Sequence, residues 1–357
     1  MSYKILTLSD RKEWAKLLEK LPIDQQDIYY TPEYYELYEK NGDGQGMCFV
    51  FEKDNYIALN PFLINSVNDL GYELDDAYFD IQGAYGYNGV VSSNYTLSFR
   101  NDFYEAFYQY CHKNNIIAEF VRYNPIIKNH LFAKDIHKLI LNRKTVSLDL
   151  STSYNEIFIN EYSPKNRNKI RKGKKTLSVR NGNSLEEYEI FNPMYHHTMQ
   201  QINAEKYYYF NNKFFNNIYH ILTDYCFVLI AYDNVSNNPL GGLLLLIHNN
   251  KAHYFLSARG RKCDNNSVNN YLLDVAITTS KKKGCSTFHL GGGNTLDEND
   301  SLLKFKMNFS KTINNFYISK KIISLTPYNT VCHLWEKQYP QRVEKFNNHL
   351  LKYRMIS

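Results

Sequence analysis

The sequence predicts an α+β protein of two related domains, residues 1–150 and 151–325, followed by a C-terminal helix over 326–357 that packs on the first domain. Three observations lead there. The chain has 357 residues, about twice the size of an ordinary single domain. Hydrophobic residues make up 43% and aromatic residues 15%, enough for two packed cores and too much for a disordered chain. Both halves also read in one order, helix, helix, hairpin, helix and strand, with no fixed-period identity between them. The duplication is therefore structural.

In the first half, Arg11 to Glu19 has helical periodicity. Thr31-Pro32 supplies an N-cap and a proline at the first helical position, opening a helix to about Lys40. Met47–Phe51 and Tyr56–Ile64 are apolar runs around Lys53-Asp54-Asn55, a hairpin signal. Asp80–Gly89 (DIQGAYGYNG) holds three glycines and cannot be a regular strand throughout. A helix from about Ser98 to Lys113 precedes a strand over Ile116–Tyr123 that ends at Asn124-Pro125, and Thr145–Leu150 reads as another strand.

The second half opens with a short helix, Tyr154–Asn160. Ser163-Pro164 caps a helix over Lys165–Lys175 that carries seven positive charges in eleven residues. Ser184 with Glu187 forms a capping box for a helix toward Asn203, and Asn211–Leu222 is a further helix. Cys226–Tyr232 is a strand, and Gly241–Ile247 and Ala252–Ala258 flank a second hairpin turn. Ser267–Lys283 reads as a helix closed by Gly284. Thr287–Leu290 is a short strand running into Gly291-Gly292-Gly293, Leu302–Phe309 a short apolar-basic segment, and Thr312–Ile318 a strand.

Net charge is +6, too weak a balance to indicate a nucleic-acid binder by itself, and no DNA partner is expected. No stretch approaches the roughly 20 apolar residues of a membrane span. Met1–Asp10 carries charge and no apolar run, so no signal peptide is expected. Six dispersed cysteines without a CxxC pair predict reduced thiols in the cytoplasm and no zinc site. Tyrosine stands at 32 residues, a ring with a polar tip that suits half-wet grooves. A compositional bias that also raises Asn and Lys would produce the same count.

Several segments, taken in order, resemble one family. They are DIQGAYGYNG, the strand end Arg122-Tyr123-Asn124-Pro125, YSPKNRNKIRKGKK from Tyr162, MYHHTMQQINAEKYYYF from Met194, FHLGGG from Phe288 and SLLKFKMNF from Ser301. Over roughly residues 28–320 they resemble the Fem-like branch of the GNAT superfamily. The last two motifs are the most specific. The resemblance implies two tandem GNAT-like domains meeting at a cleft, and acyl transfer to an amine on a bacterial cell-envelope precursor. Some relatives use aminoacyl-tRNA to extend peptidoglycan stems. Others use acyl-CoA to acylate amino sugars carried on nucleotides.

Amide formation needs a polarised acyl carbonyl and a group to hold the oxyanion. The FK pair of the resemblance assigns that role to Lys306, with Phe305 toward the acceptor; position alone would read Lys306 as a surface lysine beside Lys304. The resemblance also implies a donor entering beside the strand that holds Phe255, Leu256 and Ser257. Its phosphates would then meet Arg259, Arg261, Lys262, Asn266 and Ser267 before a helix N-terminus. The expected glycine-rich turn is missing, since NNSVNNYLL (Asn265–Leu273) stands in its place. Tyr85, Gly86 and Tyr87 form a glycine-flanked aromatic loop for the acceptor, with Arg122 and Asn124 on the neighbouring strand end. Arg167 and Arg171 are i,i+4 partners suited to phosphate, unless the charge run is simply a solvated face. Asp80 and His289 are the candidates for moving the amine proton, with no base strictly required, and Cys285 has no partner base for a covalent route.

The expected co-substrate is acyl-CoA and the expected acceptor a nucleotide-linked amino sugar. The modest charge and the absence of a heptad-bearing insertion between 150 and 325 favour this pair. Aminoacyl-tRNA is the alternative donor, and no metal is expected. A non-catalytic binder on the same scaffold would hold these ligands without turnover.

Overall fold

The computed structural model describes residues 2–261, 263 and 265–356. In chain order the first elements are β1 (Ser2–Thr7), α1 (Arg11–Glu19), α2 (Pro32–Asn41), β2 (Gln45–Lys53), β3 (Tyr56–Ser66), β4 (Phe79–Gln82) and β5 (Val91–Ser92). Then come α3 (Leu97–Lys113), β6 (Ile116–Arg122), α4 (His130–Ala133), β7 (Ile140–Asp149), α5 (Tyr154–Glu156), α6 (Pro164–Thr176) and β8 (Leu177–Gly182). They are followed by α7 (Leu185–Gln201), α8 (Asn212–Ile221), β9 (Cys226–Asp233), β10 (Pro239–His248) and β11 (Lys251–Arg259). The last are α9 (Val268–Lys282), β12 (Thr287–Gly292), α10 (Ser301–Met307), β13 (Thr312–Ile322), α11 (Leu325–Gln338) and α12 (Pro340–Phe346).

The chain forms two compact units, one of Met1–Asn142 with Phe316–Ser357 and one of Arg143–Asn315. In the first, strands run in the order β1-β2-β3-β4-β6-β13, all neighbours antiparallel except β4 with β6. In the second the order is β8-β9-β10-β11-β12-β7, all antiparallel except β11 with β12. The two sheets thus share one pairing pattern, with the parallel pair at the same place. The sequence divides near 150 and 325, whereas the units divide after Asn142 and Asn315. The reason is β13, whose residues from Ile318 pair with β6 and carry the tail into the first unit.

Turn chemistry sets the hairpins as expected. Asp54 and Asn55 both take positive φ between β2 and β3, as a two-residue hairpin loop requires. In the first unit Phe99, Phe103 and Phe107 of α3 pack on Phe49 and Phe51 of β2. In the second, Leu272, Leu273 and Ile277 of α9 join Leu243, Leu245 and Phe288 in one core. The tail is not one helix, because Pro340 cannot continue α11 and starts α12 instead. Its Val331, Cys332 and Trp335 pack with Ile117, Ala118 and Val67. Four strands escape the sequence reading: the edge strands β1 and β8, with outward residues too polar for an apolar-run signal, and the short β4 and β5, which flank the glycine-rich loop. All six cysteines are free and buried. Among the described residues no helix is long and apolar enough to cross a membrane, and no cluster of metal-ligating side chains occurs.

Candidate active site

The second unit brings together most of the donor-side residues. Strand β11 pairs with β12 only over Lys251–His253, in register with Thr287–His289. Beyond that point β11 continues to Arg259 with its ladder to β10 alone. A bulge at Phe255, between the Leu244–Leu256 and Leu245–Tyr254 pairs, bends β11 where the two strands part. Phe255 and Ser257 are half-buried and Leu256 is buried, so an extended donor arm would lie along this edge.

At the far end of β11 lies a polar cavity of about 210 Å³. Lys169, Arg259, Asn265, Asn266, Asn269, Asn270 and Phe305 line it, two cations and four carboxamides with no carboxylate. It sits at the start of α9, a fifteen-residue helix whose positive dipole end faces it. Ser267 is fully buried there, and its Oγ has no hydrogen-bond partner among the described residues. Arg259 is pinned at its backbone, which donates to Thr198 Oγ1 at 2.8 Å, while its guanidinium donates to the Cys263 carbonyl at 2.9 Å. Arg261 is exposed and does not line the cavity, and Lys262 lies outside the described residues.

Lys169 is a site residue that the sequence reading missed. No sequence signal singles it out: the buried face of α6 is Asn166, Ile170 and Gly173, too polar a set for periodicity to find, and position 169 borders it. Gly173 matters because a Cβ there would stand 2.6 Å from Cβ of Tyr271, so only glycine lets α6 approach α9 this closely. Replacing Arg259 or Lys169 with Ala is expected to weaken coenzyme A binding about tenfold each, one charge-assisted contact apiece, in isothermal titration.

Lys306 is buried, and its Nζ donates to the Gly292 carbonyl at 2.7 Å and lies 5.7 Å from the Tyr254 ring centroid. Burial is the main cause that lowers its pKa to about 7; Arg143 adds repulsion and Asp300 opposes it. Gly291 takes φ of +78°, and a Cβ there would come within 3.0 Å of Nζ. The glycine run and the Phe305-Lys306 pair therefore form one feature: a turn that only glycine makes, and a lysine packed against it.

Other predicted residues are placed elsewhere. His289 is 2% exposed, and its Nδ1 lies 3.4 Å from Nδ1 of His253 on the adjacent strand, inside the sheet and away from the cavity lining. Arg167 spends its guanidinium on the carbonyls of Ile159 and Tyr162, at 2.8 and 2.7 Å, closing the turn before α6. Arg171 is exposed, bonded to Asn168 and stacked over Phe158, on the side of α6 away from Lys169. Neither lines the cavity, because two helical steps, about 200°, separate each position from 169.

In the first unit Asp80 is fully buried and binds Arg354 at 2.7 Å and the Tyr353 hydroxyl at 2.9 Å. Burial raises its pKa, against the lowering pull of Arg354 and Tyr353. An acid with that environment anchors the tail and is not exposed to an incoming amine. Asn124 is equally buried, bonded to Asp27 and to the amides of Ile126 and Ile127. Arg122 donates to the carbonyls of Gly83 and Ala84, both at 2.8 Å, and so shapes the loop from behind. Tyr87 is buried between Tyr29 and Phe316, and Gly86 packs on Tyr29. Tyr85 remains half-buried, with its carbonyl held by the Tyr34 hydroxyl at 2.6 Å.

Residues 164–306 match the family described as Acetyltransferase (GNAT) domain. No curated protein matches the chain. Among solved structures, FemX aligns over 92% of this chain and 99% of its own, with a TM-score of 0.71 at 14% identity. L-PGS from Bacillus licheniformis aligns over 91% of this chain and 96% of its own, with a TM-score of 0.56 at 11% identity. The C-terminal domain of a putative lysylphosphatidylglycerol synthetase from Agrobacterium fabrum covers 94% and 96%, with a TM-score of 0.55 at 10% identity. At these identities the likeness is one of fold. A splayed strand pair, a cavity of about 210 Å³ at a helix start and a buried lysine against a glycine turn all fall within or beside the matched segment. Residues 164–306 thus resemble a GNAT acetyltransferase domain, and the chain as a whole shares the fold of FemX.

Proposed function

We propose that the protein transfers an acyl group from acyl-CoA directly to the amine of a nucleotide-linked amino sugar destined for a cell-envelope polysaccharide, in the cytoplasm. The observation that carries this reading is Lys306, a buried amine held at Gly292 beside the place where β11 and β12 part. The donor arm lies along Phe255–Ser257 with its phosphates in the cavity of Lys169, Arg259 and Asn266. The acceptor amine attacks the thioester carbonyl, a C–N bond forms, and the oxyanion is stabilised by the Lys306 ammonium. The C–S bond then breaks, the thiolate leaves, and the amine proton passes to solvent or to the leaving group. Tyr85, half-buried in the first unit, is the ring this reading assigns to a sugar or base.

A second reading, transfer from aminoacyl-tRNA to a peptidoglycan precursor, is favoured by the FemX likeness across the whole chain and by the cations of α6. One titration separates the two. Micromolar binding of coenzyme A, with and without a UDP- or dTDP-sugar, supports the thioester donor. No binding at millimolar coenzyme A, with activity abolished by RNase, replaces it with the tRNA donor.

A further inference from the structure

The helix that carries Lys306 has only seven residues, too few to hold itself in water. It is tied at both ends. Asp300 caps the start, accepting from the amides of Leu303 at 2.9 Å and Asn294 at 2.8 Å. Asn308 closes the end, donating its side chain to the carbonyls of Lys304 at 2.8 Å and Phe305 at 3.3 Å. Asn308 is in turn gripped by the start of α6. Its side-chain oxygen accepts from Ser163 Oγ at 2.7 Å, and its carbonyl accepts from the Ser163 amide at 3.0 Å and from Asn166 Nδ2 at 2.9 Å. The other end of the Asn166 amide, Oδ1, accepts from Asn270 Nδ2 at 2.7 Å. Asn270 lines the polar cavity, and Asn166 is only 1% exposed.

We propose that Asn166 is a positioning residue whose side-chain amide joins the wall of the donor cavity to the end of the helix that holds Lys306. The relay has a direction: Asn270 donates to Asn166, and Asn166 donates to Asn308. A carboxamide is the shortest side chain that can accept at one end and donate at the other. Removing it takes away the acceptor of Asn270 Nδ2 and leaves the Asn308 carbonyl held by the Ser163 amide alone. Proline at 164 and the Ser163 cap fix the first turn of α6, so the amide is presented from a rigid element. The proposal rests on the reading of Lys306 given above, and its test separates the two.

The test is competitive acetylation of the intact protein with acetic anhydride across the neutral and alkaline range, with each lysine quantified by mass spectrometry. In the wild type, Lys306 should titrate at about 7. In Asn166→Ala the end of α10 loosens and water reaches the amine, so the midpoint should climb by about one pH unit or more toward an ordinary lysine. Arg143, Asp300 and Tyr254, the charged and aromatic groups around Lys306, are unchanged in that variant. Asn270→Ala, at the cavity end, should move the midpoint in the same direction by less, and it decides the matter alone if Asn166→Ala does not fold. A wild-type midpoint near 7 that neither variant moves, with only an earlier melting transition, overturns the proposal and leaves the reading of Lys306 intact. A wild-type midpoint near 10.5 shows an amine open to water and overturns the proposal, while the cationic role of Lys306 is tested separately by the turnover of Lys306→Met.

Discussion

Lys306→Met should lower kcat by about 10²- to 10³-fold with both substrates saturating, and change KM little. Methionine keeps the length and the apolar packing against Tyr254 but cannot donate a hydrogen bond or carry charge. The loss therefore falls on the tetrahedral intermediate, where negative charge appears on the carbonyl oxygen. The pH profile adds a second check. Because the Lys306 pKa is lowered to about 7, its cationic form disappears as pH rises through that value, so a turnover that needs the cation declines above neutrality. A rate that instead rises through neutrality identifies the free amine as the working form and a base role for Lys306. Stability responds with the opposite sign. Between about 7 and 10.5 the unfolded chain holds a proton on this lysine that the folded chain has released. Folding is therefore favoured increasingly as pH rises across that window, and Lys306→Met removes that slope.

Arg354→Met should cost about 3–5 kcal/mol of stability, read as a lower urea midpoint with an unchanged m-value. The argument is asymmetric burial. Asp80 is fully buried, while the Arg354 side chain retains 18% of its exposure. Removing the arginine leaves a carboxylate with no access to water, whereas Asp80→Asn leaves a guanidinium that can turn outward. The conservative change at Asp80 should therefore cost much less. The deficit in Arg354→Met should be smallest in acid, where the carboxyl is protonated, and should grow toward neutrality. Equal losses in the two variants would show that the pair acts as packing alone.

Much of the architecture was legible in the residues themselves. Caps and turns are local chemistry: Thr31-Pro32, Ser163-Pro164 and Asp54-Asn55 each set their own backbone, and the helices and hairpins they announce are present. The order of elements in the two halves disclosed the duplication, and the ordered motifs pointed to the fold shared with FemX. Lys306 and its glycine turn were also readable, because both sit inside one short motif pair.

The roles of charged and polar groups were not readable in this way. Arg167, Asp80 and Asn124 have the residue types that phosphates and amines call for, and each is consumed by partners distant in sequence or by backbone carbonyls. Lys169 and Asn270, which line the cavity, look no different from their neighbours in a run of Lys and Asn. Periodicity and capping depend on residues a few positions apart, so the sequence by itself determined the elements, their order and the lysine motif. Which cation faces the cavity, which acid is buried in an ion pair and where β13 pairs depend on contacts across a hundred or more residues, and only the tertiary structure decided them.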